Sequence, residues 1–354
     1  MSKDKIIDKI IDKKKDKTID VLVLKPVLTD KQLDKKEGQT VSDSDCKYII
    51  TKDTDGYGID ENGNNKLLFK FRKNCIPDTI CIKAYNALEE HAQKKNYNRG
   101  AAAGKISLKK LPNHVGKITK TDKYRVFYKT KSGKLSGDNV GNSAMSNIIG
   151  YYDRPDRNFY NKKYINNKHK IAKFHSKKAN ANEHKTKTKT DIHGVPMCRT
   201  TQFTREQVEK WKSTLPLIEY ANKLFKQLVP DRYSIQLKKA SLTPDFQINK
   251  TAYSTITINY DWRTSIHKDS GDLDEGFGNL IVLEKAKSGH PECKGFIGGM
   301  LTFPKYSVAI DLKQGDYLAM DVHQYHANTK IEGEGRLSIV CYLRKKMINC
   351  IKSK

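Results

Sequence analysis

Nowhere in the 354 residues is there an apolar run of the ~20 residues that a membrane-crossing helix requires. The amino terminus, MSKDKIIDKIIDKKKDK, is basic but has no apolar stretch of the kind a secretory signal carries. Both absences predict an intracellular protein with no membrane partner. Cysteine occurs seven times, at 46, 75, 81, 198, 293, 341 and 350, an odd number with no CxxC pair. That argues against a disulfide framework and against a zinc ribbon, and predicts reduced, mostly buried thiols. The scattered glycines form neither a phosphate-binding loop nor a dinucleotide fingerprint. Carboxylates are scarce relative to bases, 40 Asp+Glu against 67 Lys+Arg, for a net charge of +27. So large an excess sets up a long-range positive field whose commonest use is attraction to phosphate backbones. Nucleic acid is therefore the expected partner, and no protein partner is indicated.

Composition varies along the chain. Residues 1 to about 40 are Lys/Asp-rich with few apolar residues beyond the isoleucines, and read as a basic, disordered leader. Residues 46–354 read as one domain, interrupted at 153–191 by a Lys/Asn/His-rich, low-complexity basic insertion. DTDGYGIDENGN (53–64) has the start of a calcium loop but Tyr57 and Asn64 where oxygen ligands belong, so it reads as a turn. Thr204 and Gln207 form a capping-box pair ahead of Val208, Trp211, Leu215, Ile218, Phe225 and Leu228, which share one helical face. Pro216 is expected to kink or divide that helix. After Pro244 come STITIN, NLIVLE, GGMLTFP, YSVAIDL, DYLAMDV and LSIVCYLR, separated by Gly/Asp/Pro turns. These short strands predict an antiparallel sandwich or barrel braced by the helices before it, an α+β chain.

The chemistry concentrates in two segments, TITINYDWRTSIHKDSGD and GDYLAMDVHQYHANTKIEGEGRLSIVCYLR. On a strand His267 and Asp269 would project to one side and Lys268 to the other. His326 supplies a second imidazole; Asp321 and His323 offer competing ligands, and His326 is preferred because it follows the strand end and keeps the shorter spacing to Arg336. Two His and one carboxylate, with coordination positions left open, are the ligand set of non-haem Fe(II) oxygenases. Arg336 and Ser338, two apart on a strand, suit the distal carboxylate of a dicarboxylate co-substrate. His323 is expected beside the metal or facing substrate.

At these residues the chain resembles the TET and base-J thymine hydroxylase (JBP-like) family of Fe(II)/2-oxoglutarate-dependent dioxygenases, from about residue 90 to 347. RGAAAG, NSAMSNIIGYYDR and MCRTTQFT resemble upstream parts of the same module. The resemblance implies a double-stranded β-helix core of the jelly-roll or cupin kind. It implies Fe(II), 2-oxoglutarate and O2 as cofactor and co-substrates, and hydroxylation of the 5-methyl group of 5-methylcytosine or thymine in DNA. Carried over residue by residue, it makes His267, Asp269 and His326 the iron ligands and Arg336 the 2-oxoglutarate anchor. Arg263 would meet the co-substrate or a DNA phosphate, Asn259 would line the pocket, and Asp272 would either contact the base edge or cap the turn in SGDLDEG. Hydrogen abstraction by a ferryl centre then requires a flipped-out base, since a stacked methyl is out of reach. The basic insertion departs from the family pattern, and no separate DNA-binding domain of the base-J binding kind is seen. Alternative readings are the same chemistry on RNA or on a protein side chain, and a non-catalytic modified-base binding protein. The setting would be a nucleus or a virus- or phage-infected cell.

Overall fold

The computed structural model describes residues 18–133, 135–153 and 198–350. The expected basic insertion thus lies, but for its first residue, outside the described residues, as does the leader before residue 18. From there on the leader is structured, contrary to expectation. Strand β1 (Asp20–Leu24) pairs in parallel with β3 (Thr54–Ile59). Helix α1 (Asp30–Lys36) opens on a capping box in which the Thr29 hydroxyl accepts from the Gln32 N–H and the Gln32 side chain accepts from the Thr29 N–H. Two observations explain why so polar a stretch orders. Leu33 is wholly buried against Val41, Ile266, Tyr325 and Ala327, and β1 takes its hydrogen bonds from a neighbouring strand rather than from apolar content.

The single domain read from 46–354 divides into two compact units. The first holds residues up to 147, 258–270 and 279–339. Its main sheet runs β1, β3, β4 (Asn65–Arg72), β15 (Tyr317–Met320), β11 (Gly278–Glu284), β18 (Arg336–Tyr342) and β10 (Thr255–Tyr260). A smaller sheet runs β16 (Ala327–Asn328), β13 (Leu301–Phe303), β14 (Val308–Ile310) and β2 (Tyr48–Ile50). The short pair β12 (Phe296–Gly298) and β17 (Ile331–Gly333) stands beside them in the chain order. Phe69 of the main sheet stacks on Phe303 of the smaller one at 5.9 Å, so the two sheets face each other over a shared core. The run of short strands predicted such a sandwich, and the double-stranded β-helix is the form of it that the family resemblance implied. Every residue of NLIVLE is buried, which is why the segment reads as a continuous apolar run rather than an alternation. Helix α2 (Asp78–Ala92) buries Cys81, Ala84, Tyr85, Ala87 and Leu88. A separate three-stranded antiparallel sheet, β5 (Val115–Thr121), β6 (Val126–Thr130) and β7 (Leu135–Val140), has a small core of its own around Val126, Tyr128 and Val140. Of the 53–64 stretch, read as a turn, Thr54–Ile59 is strand β3 and only the residues after it turn into β4.

The second unit contains residues 148–257, 271–278 and the chain from 340. Strand β8 (Ser146–Tyr152) pairs with β9 (Arg199–Thr200), followed by α3 (Gln202–Glu206), α4 (Val208–Leu228) and α5 (Pro230–Ala240). The cap falls at Thr201, not Thr204: the Thr201 hydroxyl accepts from the Thr204 N–H, while the Thr204 hydroxyl accepts from the Gly150 N–H. Helix α4 runs through Pro216 without dividing. Its buried stripe is Thr214, Leu217, Ile218, Ala221, Leu224 and Phe225, offset from the expected face, with Val208 left exposed. Cys198 and Cys350 form a disulfide with Cα atoms 5.9 Å apart, which corrects the expectation of reduced thiols throughout. The five other cysteines are free, and all but Cys46 are buried. Among the described residues, no helix is long and apolar enough to cross a membrane.

Candidate active site

The HxD segment is not a strand. After β10 the chain runs extended, and its N–H groups bond to four different places: Ser265 to Ala102, Ile266 to Gln39, His267 to His326, and Asp269 to Val322. The His267–His326 pair forms an isolated antiparallel bridge with both N–H···O bonds at 3.0 Å. That bridge sets the two imidazoles side by side, ring centroids 4.4 Å apart. Lys268, as expected of an intervening residue, turns the other way, its Nζ 4.4 Å from the centre of the Tyr325 ring.

Each histidine is oriented by the same device. His267 Nδ1 lies 2.7 Å from the Ser265 carbonyl and His326 Nδ1 lies 2.9 Å from the Gln324 carbonyl, the carbonyl two residues back in both cases. A carbonyl only accepts, so each Nδ1 carries the proton and each Nε2 faces the site. There Asp269 bridges them, one carboxylate oxygen 3.5 Å from His267 Nε2 and the other 3.6 Å from His326 Nε2. All three ligand atoms lie within 4.8 Å of one another, and among the described residues no other group of His, Cys, Asp or Glu converges in this way. Donors of this type and spacing fit a divalent iron.

The charges respond to that crowding. Burial works against the His267 imidazolium, but the hydrogen bond and charge of Asp269 outweigh it and raise the His267 pKa. Burial also disfavours the Asp269 carboxylate, yet the two histidines and Arg99 hold its pKa below the usual range. Burial, and then the proximity of His267, push the His326 pKa down to about 4. One imidazole is thus kept neutral and ready to donate a lone pair.

Arg336 is the largest fully buried side chain, and its Nε and one terminal nitrogen have no hydrogen-bond partner. Burial pushes its pKa down to about 10, against the charges of Asp261 and Asp311. Asp261 does not pair with the guanidinium; its carboxylate accepts from the backbone N–H groups of Gly335 and Arg336 at 2.8 and 2.7 Å. A buried cation with idle donors is costly, and a ligand carboxylate is the group that would satisfy it. The cradle depends on Gly299: a Cβ there would stand 2.8 Å from Arg336 Nε, at a φ of +64° that side-chain-bearing residues rarely adopt. Ser338, two residues along β18, faces the same way and accepts from the Asn259 amide at 3.2 Å. The other end of that amide accepts from Ser146 at 2.5 Å, so Asn259 is engaged at both ends and serves to orient Ser338.

The remaining expected site residues are placed as follows. His323 is outside the ligand group; its N–H donates to Asp321, which pairs with Lys66 at 2.9 Å. The Arg263 guanidinium is committed to the carbonyls of Val41 and Asn328, at the rim of a cleft of about 270 Å³ that Ser42, Lys330 and Glu332 also line. Asp272 belongs to the second unit, where it is buried and its backbone bridges to Arg344, whose Nε donates to Asp153 at 2.5 Å. Sequence reasoning missed Arg99. It lies just before the short 3-10 turn of RGAAAG, donates to the Ser146 carbonyl at 3.1 Å, and its charge acts on both His267 and Asp269. The one signal for it was the small-residue run that follows: Gly104, at φ +81°, lets that loop approach Ser265.

Comparison with known proteins bears on this arrangement. Residues 190–345 match the Tet_JBP model, described as the oxygenase domain of the 2OGFeDO superfamily. The chain is similar to Thymine dioxygenase JBP1 of Trypanosoma brucei brucei, 34% identical over 164 residues, covering 44% of this chain and 18% of that protein. It is also similar to Bifunctional helicase and thymine dioxygenase JBP2 of Leishmania tarentolae, 34% identical over 158 residues, 44% of this chain and 13% of that one. The matched stretch therefore spans less than a fifth of either relative. The structure of NgTET1 in complex with 5mC DNA has the same fold at a TM-score of 0.50 and 11% identity, covering 99% of this chain and 94% of that one. Residues 190–345, somewhat under half of the chain, thus match the oxygenase domain of the 2OGFeDO superfamily, and they contain all three members of the His267, Asp269 and His326 cluster.

Proposed function

We propose that this protein is an Fe(II)/2-oxoglutarate-dependent dioxygenase that hydroxylates the 5-methyl group of a pyrimidine in DNA, acting on a flipped-out base. The convergence of His267, Asp269 and His326 carries this reading. These three would hold ferrous iron, which when bound supplies the activation of O2 coupled to oxidative decarboxylation of 2-oxoglutarate. Arg336 would clamp the distal carboxylate of that co-substrate, and Ser338, held by Asn259, would supply a hydroxyl beside it. With Arg263 committed to two carbonyls, Arg99 is the better source of positive charge for the carboxylate nearer the metal. The Ser265 and Gln324 carbonyls keep both imidazoles in the tautomer that donates through Nε2. Asp272 is proposed to accept from the edge of the target base.

The curated relatives are named thymine dioxygenases, and the structural neighbour is bound to 5mC DNA, so the methyl group at pyrimidine C5 is common to both. The test incubates the protein with Fe(II), 2-oxoglutarate and duplexes containing thymine or 5-methylcytosine, followed by nucleoside mass spectrometry. The expected result is a 5-hydroxymethyl pyrimidine in at least one duplex, with DNA-stimulated succinate. Succinate stimulated by RNA or peptide pools, with no oxidised DNA base, would move the substrate elsewhere. No succinate under any condition would leave the modified-base binding reading.

A further inference from the structure

The positive charge that sequence reasoning assigned to the leader and the insertion has a third and ordered location. Between residues 105 and 131 there are nine Lys or Arg and one acid, Asp122. This stretch forms β5 and β6 of the three-stranded sheet, whose inner face packs Val126, Tyr128 and Val140 with Ile118 and Val115. Arg125, Phe127 and Lys129 alternate with buried Val126 and Tyr128, and so share the opposite face. Lys120 is in register with Phe127 and lies over its ring at 5.9 Å, adding a second strand's cation to that face. Lys117 is exposed on the same outer strand, beside the register shift. Asp122 pairs with Arg125 at 3.2 Å and Glu37 with Lys123 at 3.3 Å, while Lys117, Lys120 and Lys129 have no carboxylate partner among the described residues.

Unneutralised Lys120 and Lys129 share one pleated face with Phe127, and exposed Lys117 lies on the same outer strand, which makes a platform for an anionic polymer. Side chains on one face of a strand recur about every 6.8 Å, twice the ~3.4 Å axial spacing of phosphates along a DNA strand. The hairpin containing Lys120 and Lys129 begins at Val115, one short 3-10 turn (Leu108–Lys110) after the RGAAAG loop that carries Arg99. Asn142 ties the two together, its amide donating to the Ala103 and Lys105 carbonyls at 2.9 and 2.8 Å. We propose that the outer face of the β5–β6–β7 sheet is a docking surface for the sugar–phosphate backbone of duplex DNA outside the nucleotide that is oxidised. This rests on the reading of DNA as substrate, and it assigns the surface a positioning role with no part in the chemistry.

The test compares the full chain with a Lys117→Gln/Lys120→Gln/Lys129→Gln variant and with the corresponding triple Lys→Arg variant. Binding to an unmodified 30-base-pair duplex is measured from low to moderate salt. Each lysine that meets a phosphate contributes about 0.9 to the slope of log affinity against log salt, so the Gln variant should lose two to three units of slope and the Arg variant none. Succinate production from 2-oxoglutarate without DNA should be the same in all three proteins, which also reports that the fold is intact. An unchanged slope in the Gln variant overturns the proposal, whatever the enzyme does. A slope lost for an RNA duplex but not for DNA also overturns it. A slope lost on DNA in a protein that oxidises no base would uphold the surface while the proposed function fails, so the two can be told apart.

Discussion

The cluster of His267, Asp269 and His326 and the Arg336 pocket lie in the same unit and treat their charges in opposite ways. Asp269 is fully engaged by its own protein: two imidazoles flank its carboxylate, and their charges lower its pKa. Arg336 is far more deeply buried, 1% exposed against 35% for the Asp269 side chain, yet the one carboxylate near its backbone, Asp261, is spent on two N–H groups, and the guanidinium keeps idle donors. The first cluster is electrostatically complete without a ligand; the second is complete only with an anion in place. A site of the first kind tolerates waiting empty, and a site of the second kind stores a desolvation cost that binding relieves. On the proposed function, the difference predicts that a metal at the first cluster would govern turnover and a dicarboxylate at the second would govern stability.

Breaking the first cluster should have the largest effect. Asp269→Ala removes the group that both imidazoles share and should reduce turnover by at least about a hundredfold, in line with the 10–100-fold losses seen even for outer-shell partners of metal ligands. Succinate release is the readout, with ferrous-ion affinity measured alongside; turnover within tenfold of the native protein would disprove the ligand role. Arg336 separates the two clusters most sharply. Arg336→Met should raise the KM for 2-oxoglutarate by ten- to a hundredfold, the loss of charge-assisted hydrogen bonds worth about 1.5–3 kcal/mol. The same substitution should leave the ligand-free protein as stable as before or more so, because an unpaired buried charge has been replaced by packing. Thermal unfolding without co-substrate checks this, and a lower Tm than native would mean that the guanidinium is satisfied after all. Correspondingly, 2-oxoglutarate should raise the Tm of the native protein and not of the variant.

How far all this could be read from residues alone follows the same division. Strand segments such as NLIVLE and SVAIDL announced themselves because burial of a strand needs only local apolar content. The pair His267 and Asp269 was legible for its ligand chemistry, though not for its conformation. Four residues of that segment bond to four separate partners, and no local pattern encodes a ladder that does not exist. The choice of His326 over His323 depends on a backbone bridge across 59 positions, visible in the sequence only as a spacing argument. Arg99 was invisible, since it acts from a loop 168 residues before His267 in the chain. Helix α1 shows the opposite failure: its Thr29–Gln32 box was present in the sequence, but the surrounding Lys and Asp outweighed it, and burial of the single residue Leu33 decides the matter. The offset stripe on α4 has a similar origin. Thr214 and Ala221 fill positions that an apolar-residue count passes over.

The smallest expected effect tests whether the Arg336 pocket is shaped by its backbone as well as by charge. Gly299→Ala adds one methyl group, 2.8 Å from Arg336 Nε and 2.9 Å from the Ile331 side chain, at a positive φ. The guanidinium stem and Ile331 can each yield by a few tenths of an ångström, so the fold should survive, with a loss of about 1–2 kcal/mol from the strained backbone and the overlap. Because Arg336 must shift to admit the methyl, the KM for 2-oxoglutarate should rise about threefold to tenfold with kcat nearly unchanged. Gly289 is the matching control: it also has a positive φ, +91°, but nothing stands within 4 Å of its would-be Cβ. Gly289→Ala should therefore show the backbone cost alone, with the same KM as the native protein. Equal KM values for the two alanine variants would mean that Gly299 is there for its turn and not for the co-substrate, and the cradle around Arg336 would lose its argument.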